Sequence, residues 1–215
     1  MEAASIHPHP AKGPSPGATQ EQPAASSWSP ANPAPLGLAA FAMTTFVLSM
    51  FNSNLVNEKG LPVVLGLALV YGGIVQVLAG LWEFRTGNTF GAVAFCSYGA
   101  FWISFWALNV FYAKQIGGNA GHAVGLYLWS WAIFTAYMTI AALRTNGAVL
   151  LVFALLTATY ILLAIGAVGD HATVTHWGGY LGIATAVAAW YASFAAVVNS
   201  TFGRVIAPMV PLQRQ

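Results

Sequence analysis

Charge is the first thing that this sequence lacks. Of its 215 residues, 6% are charged and 58% are hydrophobic. A typical soluble domain carries about 25% charged residues. Seven Lys and Arg and five Asp and Glu cannot cover the surface of a soluble fold of this size. The composition therefore indicates a protein whose main solvent is the lipid bilayer.

The sequence also lacks the parts that several functional classes need. One cysteine, Cys96, excludes an intrachain disulfide framework. A net charge of +2 is too small to indicate a nucleic-acid partner. There is no His-Glu-x-x-His zinc helix and no Gly-x-x-x-x-Gly-Lys phosphate loop. We therefore expect neither an enzyme nor a protein with a metal or other cofactor.

The first 31 residues contain many Pro, Ala, Ser, Gly and Gln and no apolar run. Such a segment cannot bury enough apolar surface to offset the entropy of ordering. We expect residues 1–31 to form a disordered cytoplasmic tail without a secretory signal, because no apolar core follows a basic start. A transmembrane transport domain over residues 32–203 and a cytoplasmic C-terminal tail over residues 204–215 complete the predicted organisation.

Six apolar segments follow the first tail, each close to the roughly 20 residues that cross a bilayer as a helix. They are uncharged inside and lie at residues 36–54, 61–82, 92–112, 123–143, 148–168 and 177–198. The connections are short, so neighbouring helices should be antiparallel. The pattern predicts an all-α integral membrane protein with six transmembrane helices.

The Lys and Arg residues in the flanks predict the orientation of these helices. If the N-terminus is cytoplasmic, the cytoplasmic flanks carry Lys12, Arg85, Arg144, Arg204 and Arg214, and the opposite flanks carry Lys59 and Lys114. Because cytoplasmic connections are enriched in Lys and Arg, we expect both termini in the cytoplasm. A bacterial inner membrane and a plasma membrane fit equally well.

The first apolar run opens with Asn32-Pro33-Ala34-Pro35-Leu36-Gly37-Leu38. Proline is tolerated in a first helical turn, where its missing amide hydrogen would be unpaired anyway, so a helix should begin at about Pro35. Asn32 can cap this helix, and the remaining free amides would attract a small anion. Asn32, Pro33 and Pro35 are therefore predicted to form an entrance.

Polar side chains inside apolar spans need a reason. Gln76 is the clearest case, because an amide at mid-span has four hydrogen-bonding positions that its own helix cannot satisfy. Thr44, Thr45 and Asn109 are further candidates for a polar pathway, although Thr hydroxyls often bond to carbonyls of their own helix. Hydroxyls, amides and aromatic edges can stabilise one small carboxylate without holding it too long for turnover.

Several motifs in this sequence occur in the order of a known family. The stretch from Asn32 to Leu38, followed by Phe41, resembles the signature of the acetate uptake transporter family, which includes bacterial succinate-acetate permeases and yeast ammonia/acetate outward-transport proteins. Three later stretches resemble further blocks of that family: Gly87-Asn88-Thr89-Phe90-Gly91, Ser97-Tyr98-Gly99 and Phe202-Gly203-Arg204. The resemblance covers roughly residues 32 to 208.

The resemblance implies a transporter or channel for acetate and similar small monocarboxylates, with succinate as a further candidate. It also implies a homo-hexamer of six-helix protomers in lipid, each with its own pathway. The pathway would narrow at Phe41, Tyr98 and Leu156, with Leu155 as the alternative to its neighbour. The sequence leaves open a channel or a proton symport, and a sensor or scaffolding protein remains the alternative function.

Overall fold

The computed structural model describes residues 28–212, which are almost entirely helical. The α-helices are α1 (Ala34–Asn52), α2 (Pro62–Leu69), α3 (Gln76–Thr86), α4 (Thr89–Ala107), α5 (Ala120–Ala142), α6 (Gly147–Gly169) and α7 (Ala172–Phe202). Within these residues, the only strand-type pairing is an isolated bridge between Asn146 and Pro211.

Two of the membrane spans contain a π-helical turn. A π-helical turn, Val70–Val75, joins α2 to α3, and another, Leu108–Tyr112, extends α4. Counted this way, the described residues contain six helices that are long and apolar enough to cross a membrane. The predicted six-helix fold is thereby confirmed. The last helix is longer than predicted, because it covers residues 172–202 rather than 177–198.

We call the two ends of the bundle the terminal end and the far end. The terminal end holds the start of α1, the connections between α3 and α4 and between α5 and α6, and the end of α7. The far end holds the remaining connections. The predicted flanking cations divide between these ends. Arg85 lies in the last turn of α3, and Arg144 and Arg204 follow α5 and α7, all at the terminal end. Lys59 and Lys114 lie at the far end.

Helix packing places α1 against α7, α6 against both α5 and α7, and α3 against α4. Glycine allows the closest of these approaches. A Cβ atom at Gly179 of α7 would collide with the backbone of Asn52 and Ser53, and one at Gly182 would collide with the Ser49 side chain. Small residues at such crossings let helix backbones approach in lipid.

The start of α1 differs from the prediction in one important respect. The helix begins at Ala34, whose N–H donates to the Asn32 side-chain oxygen at 3.0 Å. The amides of Leu36 and Gly37 both donate to the Pro33 carbonyl oxygen, at 3.1 and 3.3 Å, and Pro35 has no amide hydrogen. The first turn therefore offers no free amide. The expectation that such amides attract an arriving carboxylate is wrong. Pro33 rather than Asn32 is the N-cap residue, although the Asn32 side chain does accept from the first helical amide.

The segment after α7 folds back on the terminal end, so its described part is not a free tail. The Asn199 side-chain oxygen accepts bonds from the amides of Ile206 and Ala207, at 2.7 and 2.9 Å. Gly147 N–H donates to the Val210 carbonyl at 2.9 Å, and Leu212 N–H donates to the Thr145 carbonyl at 3.1 Å. Residues 206–212 thus connect α7 to the turn between α5 and α6.

The predicted N-terminal tail lies mostly outside the described residues, which begin at Trp28. The Trp28 ring packs edge-on against Trp82, with 6.1 Å between the ring centroids. The Arg85 guanidinium lies 5.9 Å from the centroid of the Trp28 ring. The last residues before α1 therefore contact the end of α3.

Candidate functional site

A cavity of about 520 Å³ enters the bundle from the far end. Its rim includes the exposed residues Ala113 and Asp170, and its inner end is formed by the buried side chains of Phe41, Leu156 and Tyr160. Helix α1 contributes one continuous face with helical spacing: Phe41, Thr45, Leu48, Ser49 and Asn52. Helices α4, α5 and α6 form most of the remaining wall. The cavity is thus a blind vestibule that ends inside the bundle.

The blind end of the vestibule coincides with the predicted constriction. Phe41 and Leu156 line it, and the Tyr98 ring lies 5.8 Å from the Phe41 ring, measured between centroids. All three side chains are at most 4% exposed and belong to one hydrophobic cluster. Leu155 is only half-buried. The geometry therefore favours Leu156 over Leu155 at this position.

Aromatic rings make the constriction rigid. Tyr98 also lies near Phe134 and Phe153, at centroid distances of 5.4 and 6.0 Å. Phe101, one turn along α4, contacts Tyr160 at 5.6 Å and Trp131 at 5.2 Å. Rings that are packed edge to face in this way hold one another in defined positions.

Two polar groups of the vestibule wall have no protein partner. Within residues 28–212, neither the Thr45 hydroxyl nor the Trp102 indole N–H makes a hydrogen bond. Both side chains are buried, at 6% and 2% exposure, and both line the cavity. Leaving a buried polar group unpaired costs about 1–3 kcal/mol. Both are candidates to bind a solute once a side-chain movement exposes the donor atom, which is enclosed in this structure, to the cavity.

Charge is scarce in the vestibule. Asp170, at the rim, is the only Asp, Glu, Lys or Arg among its lining residues. A smaller neighbouring cavity of about 300 Å³ at the same end is lined by Glu58, Asp170, His171 and His176. In the described residues, no group of three His, Cys, Asp or Glu side chains is placed to hold a metal ion. An anion in the vestibule would depend on neutral donors.

Hydrogen bonds fix the polar groups around the blind end. The Tyr98 hydroxyl lies 2.9 Å from the Thr135 hydroxyl, which also contacts the Trp131 carbonyl at 2.7 Å. One turn further along α5, the Thr139 hydroxyl lies 2.9 Å from that of Thr157, the neighbour of Leu156. Hydroxyls on α5 therefore bond directly to Tyr98 and to the residue that follows Leu156.

The polar residues predicted for the pathway separate into two groups. Thr45 and Asn109 line the vestibule, and Asn109 also donates from its side-chain nitrogen to the Phe105 carbonyl at 2.8 Å. Thr44 does not face the vestibule: its hydroxyl donates to the Ala40 carbonyl at 2.9 Å, and its side chain packs on Gly72. Thr44 is therefore an interhelical contact, which corrects its assignment to this part of the pathway.

Gln76 is buried between helices and does not line the vestibule. It is fully buried, and neither its side-chain oxygen nor its nitrogen has a partner in residues 28–212. It begins α3 immediately after the π-helical turn Val70–Val75. Gln76 was predicted to belong to the polar pathway, and since it does not line the vestibule, that assignment stays a prediction for the rest of the pathway.

The sequence did not identify Trp102 as a donor or Asp170 as a rim residue. Trp102 lies in the middle of an apolar span, and the sequence does not reveal whether it faces lipid, a neighbouring helix or a cavity. Asp170 lies in the turn between α6 and α7, where it adopts a positive φ of 50°. Only the fold brings that turn beside α1 and the vestibule.

Comparison with known proteins identifies the family of this chain. The model of the GPR1/FUN34/yaaH family matches residues 16–214. The chain is 44% identical to accumulation of dyads protein 2 of Saccharomyces cerevisiae over 188 residues, which are 85% of this chain and 66% of that protein. It therefore spans slightly less than two thirds of the length of that fungal relative.

A bacterial relative is covered almost completely. The chain is 38% identical over 182 residues to the succinate-acetate/proton symporter SatP of Escherichia coli, which are 83% of this chain and 95% of that protein. A solved structure described as the bacterial acetate channel SatP superposes with a TM-score of 0.78 at 37% identity, and the match covers 84% of this chain and 99% of that one. This chain therefore belongs to the GPR1/FUN34/yaaH family.

Proposed function

We propose that this protein transports acetate and similar small monocarboxylates across a membrane through the vestibule and the constriction of each protomer. The observation that carries the proposal is the vestibule of about 520 Å³ with unpaired donors on Thr45 and Trp102. Its relatives support the choice of substrate, since one is a succinate-acetate/proton symporter and another an acetate channel.

The vestibule binds the carboxylate without a fixed cation. The Trp102 N–H and the Thr45 hydroxyl can each donate to a carboxylate oxygen, and neutral donors hold an anion less tightly than Lys or Arg would. Weak binding suits transport, because the solute must leave as readily as it enters. The lining therefore binds the solute weakly enough to release it.

The constriction selects by size. Phe41, Tyr98 and Leu156 close the blind end with two rings and an isobutyl group, so a solute must shed its water to pass. Acetate has one methyl group beyond its carboxyl group, whereas succinate must bring a second carboxyl group through the same apolar ring. We therefore expect succinate to cross more slowly than acetate.

The proposed location is a bacterial inner membrane or a plasma membrane with both termini in the cytoplasm. The positions of Arg85, Arg144 and Arg204 at the terminal end support this orientation. Tags at both termini that are accessible from opposite faces of the membrane would contradict it.

Assembly as a homo-hexamer remains a prediction from the family resemblance. The mass of the protein in detergent, corrected for bound detergent, measures it.

Uptake of labelled acetate into proteoliposomes tests the proposed function. Purified protein should accelerate acetate uptake over protein-free vesicles, and propionate should compete. A sensor or a scaffolding protein would leave the vesicles no more permeable than the lipid alone. Deletion of residues 1–31 provides a second test, because a sensor would need an output segment, whereas we expect a transporter without this tail to keep its uptake rate.

A further inference from the structure

The Tyr160 hydroxyl opens into the inner end of the vestibule. Tyr160 is 4% exposed, and its side chain lines the cavity. Within residues 28–212, its hydroxyl makes no hydrogen bond, and unlike the Thr45 hydroxyl and the Trp102 N–H it is not enclosed by protein atoms. The Tyr160 hydroxyl can therefore donate a hydrogen bond to a solute without a side-chain movement.

Open hydroxyls are rare among the buried residues that line the vestibule. The Thr159 hydroxyl donates to the Leu155 carbonyl at 2.9 Å, and the Thr45 hydroxyl is enclosed. The Ser49 hydroxyl, like that of Tyr160, has no partner within residues 28–212 and is not enclosed. A solute in this structure thus meets two open hydroxyls on buried side chains of the wall, one on α1 and one on α6.

The two open hydroxyls lie at different depths. Tyr160 follows Leu156 by four residues, so it lies on the same face of α6 and about 6 Å nearer the far end. Both side chains lean toward the start of the helix, so this spacing is kept at their tips. Ser49 lies two turns of α1 beyond Phe41. The Tyr160 hydroxyl is therefore the open donor nearest the constriction.

The wall changes from polar to apolar at this level. Toward the far end lie the Ser49 hydroxyl and the half-buried amide of Asn52. Toward the constriction lie Phe41 and Leu156, whose side chains have no polar atoms. A carboxylate is stable where a donor reaches it, and hydrocarbon is stable against apolar groups. A short monocarboxylate held at Tyr160 is therefore most stable with its hydrocarbon toward the constriction.

We propose that Tyr160 binds the carboxylate at the mouth of the constriction, so that a monocarboxylate enters the constriction with its hydrocarbon end first. The inference rests on the proposed function, since it assumes that acetate crosses by way of the vestibule. The Tyr160 hydroxyl donates its hydrogen to one carboxylate oxygen, and the methyl group faces Phe41 and Leu156. The Tyr160 ring packs edge-on against Phe101, at 5.6 Å between centroids, which holds the donor in a defined position.

This orientation gives the two ends of a solute different surroundings. A hydroxyl group on the terminal carbon would lie against Phe41 and Leu156 without a hydrogen-bond partner, which is unfavourable. A hydroxyl group beside the carboxylate would stay on the polar side of the wall. Two hydroxy acids of the same composition, 3-hydroxypropionate and lactate, should therefore bind differently.

Tyr160→Phe tests the bond to the carboxylate in proteoliposomes. It removes the hydroxyl and keeps the ring contact with Phe101. The KM for labelled acetate should rise about tenfold, the effect of losing one hydrogen bond to a charged group, at an unchanged maximal rate. Because the hydroxyl has no protein partner, the unfolding temperature in detergent should stay that of the wild type. Tyr160→Met, which also lacks a donor, replaces this variant if it does not assemble.

Two further variants show whether the effect belongs to this hydroxyl. Tyr137→Phe is the matched control, because Tyr137 is 51% exposed on α5, contacts Phe134 at 5.0 Å and does not line the vestibule. It should keep the wild-type KM. Ser49→Ala removes the open hydroxyl that lies farther from the constriction, and it should change the KM a few-fold at most.

Competition against labelled acetate tests the orientation. Butyrate and 3-hydroxypropionate differ by a methyl or hydroxyl group at the end of the chain, and isobutyrate and lactate differ in the same way beside the carboxylate. In the wild type, 3-hydroxypropionate should compete about tenfold less well than butyrate, the effect of an unpaired hydroxyl against apolar groups. Lactate and isobutyrate should differ by a few-fold at most. Tyr160→Phe should reduce the tenfold difference, because an unbound carboxylate lets the solute turn around.

Three results would overturn the inference. The first is a wild-type KM in Tyr160→Phe, and the second is an equal rise of KM in Tyr137→Phe. The third is an equal or larger penalty for the hydroxyl group of lactate than for that of 3-hydroxypropionate in the wild type. Failure of the proposed function is different, because wild-type vesicles would then take up no more labelled acetate than protein-free vesicles, and the inference would fall with it.

Discussion

The vestibule and the constriction use their polar groups in opposite ways. In the vestibule, the Thr45 hydroxyl and the Trp102 N–H have no partner within residues 28–212. At the constriction, the Tyr98 hydroxyl is bonded to Thr135. A solute can bind an unpaired donor without breaking a hydrogen bond once the side chain exposes it, whereas a bonded donor becomes available only after its bond breaks. Polar residues close together on one pathway can therefore serve different purposes, one binding the solute and the other restricting it.

The largest effect is expected from Trp102→Phe, which removes a vestibule donor and keeps the aromatic ring. Loss of a hydrogen bond to a charged group costs about 1.5–3 kcal/mol, so acetate uptake at low concentration should fall about tenfold or more. Initial rates over a range of acetate concentrations measure this loss as a higher KM.

Trp106→Phe is the matched control for that prediction. Trp106 lies on the same helix but packs on Phe111 at 5.3 Å, and it is not one of the residues that line the vestibule. Equal losses in the two variants would mean that Trp102 supports the helix rather than the solute. Of the two enclosed donors proposed for the vestibule, only Thr45 would then remain.

Leu156→Ala tests the constriction as a size filter. The smaller side chain should widen the blind end and admit lactate, so that the preference for acetate over lactate falls about tenfold, the scale on which pockets discriminate by small apolar groups. Competition between labelled acetate and lactate measures the ratio. Leu155→Ala is the control, and we expect it to keep the wild-type preference.

A Leu156→Ala protein that assembles normally and keeps the wild-type preference would show that Leu156 does not narrow the pathway. If Leu155→Ala changes the ratio instead, the constriction includes the neighbouring residue. In either case, Leu156 would not be the side chain that limits the size of the solute.

A smaller effect is expected from Tyr98→Phe. It removes the only hydroxyl among the three constriction residues and leaves the ring contacts with Phe41 and Phe153. One neutral hydrogen bond contributes about 0.5–1.5 kcal/mol, so acetate uptake should slow by a few-fold at constant KM. A change confined to KM would mean that this hydroxyl binds the solute, as proposed for Thr45 and Trp102.

The smallest effect is expected from Asn32→Ala. Its side-chain oxygen accepts from the Ala34 N–H at 3.0 Å, and loss of one such hydrogen bond costs about 0.5–1.5 kcal/mol. Thermal unfolding in detergent should therefore occur at a slightly lower temperature, whereas acetate uptake per folded protomer stays the same. Reduced uptake without loss of stability would instead support the predicted role of Asn32 in the entrance for the solute.

The sequence was sufficient to predict the six spans, because lipid imposes long uncharged runs with short polar breaks. It was not sufficient to assign faces to polar residues. Thr44 and Thr45 are neighbours with the same side chain, yet Thr44 packs on Gly72 and Thr45 faces the vestibule. In a soluble helix, alternating polarity would separate the two faces. Here both faces are apolar, so only the helix contacts distinguish them.

The start of α1 shows a second limit of prediction from the sequence. Asn32, Pro33 and Pro35 correctly predicted where the helix begins, since these residue types restrict the backbone directly. They did not predict that the Pro33 carbonyl accepts from both Leu36 and Gly37, which removes the free amides. The availability of a backbone group depends on the geometry of the whole turn rather than on the identity of its residues.

The return of residues 206–212 to the turn between α5 and α6 has a consequence for biosynthesis. The Gly147 N–H and the Thr145 carbonyl find their partners in Val210 and Leu212, which leave the ribosome only after all six helices have been made. The hairpin of α5 and α6 therefore emerges with its turn incomplete, and water at the membrane surface must solvate these groups until synthesis reaches residue 212. This turn can therefore close only after all six helices have been synthesised.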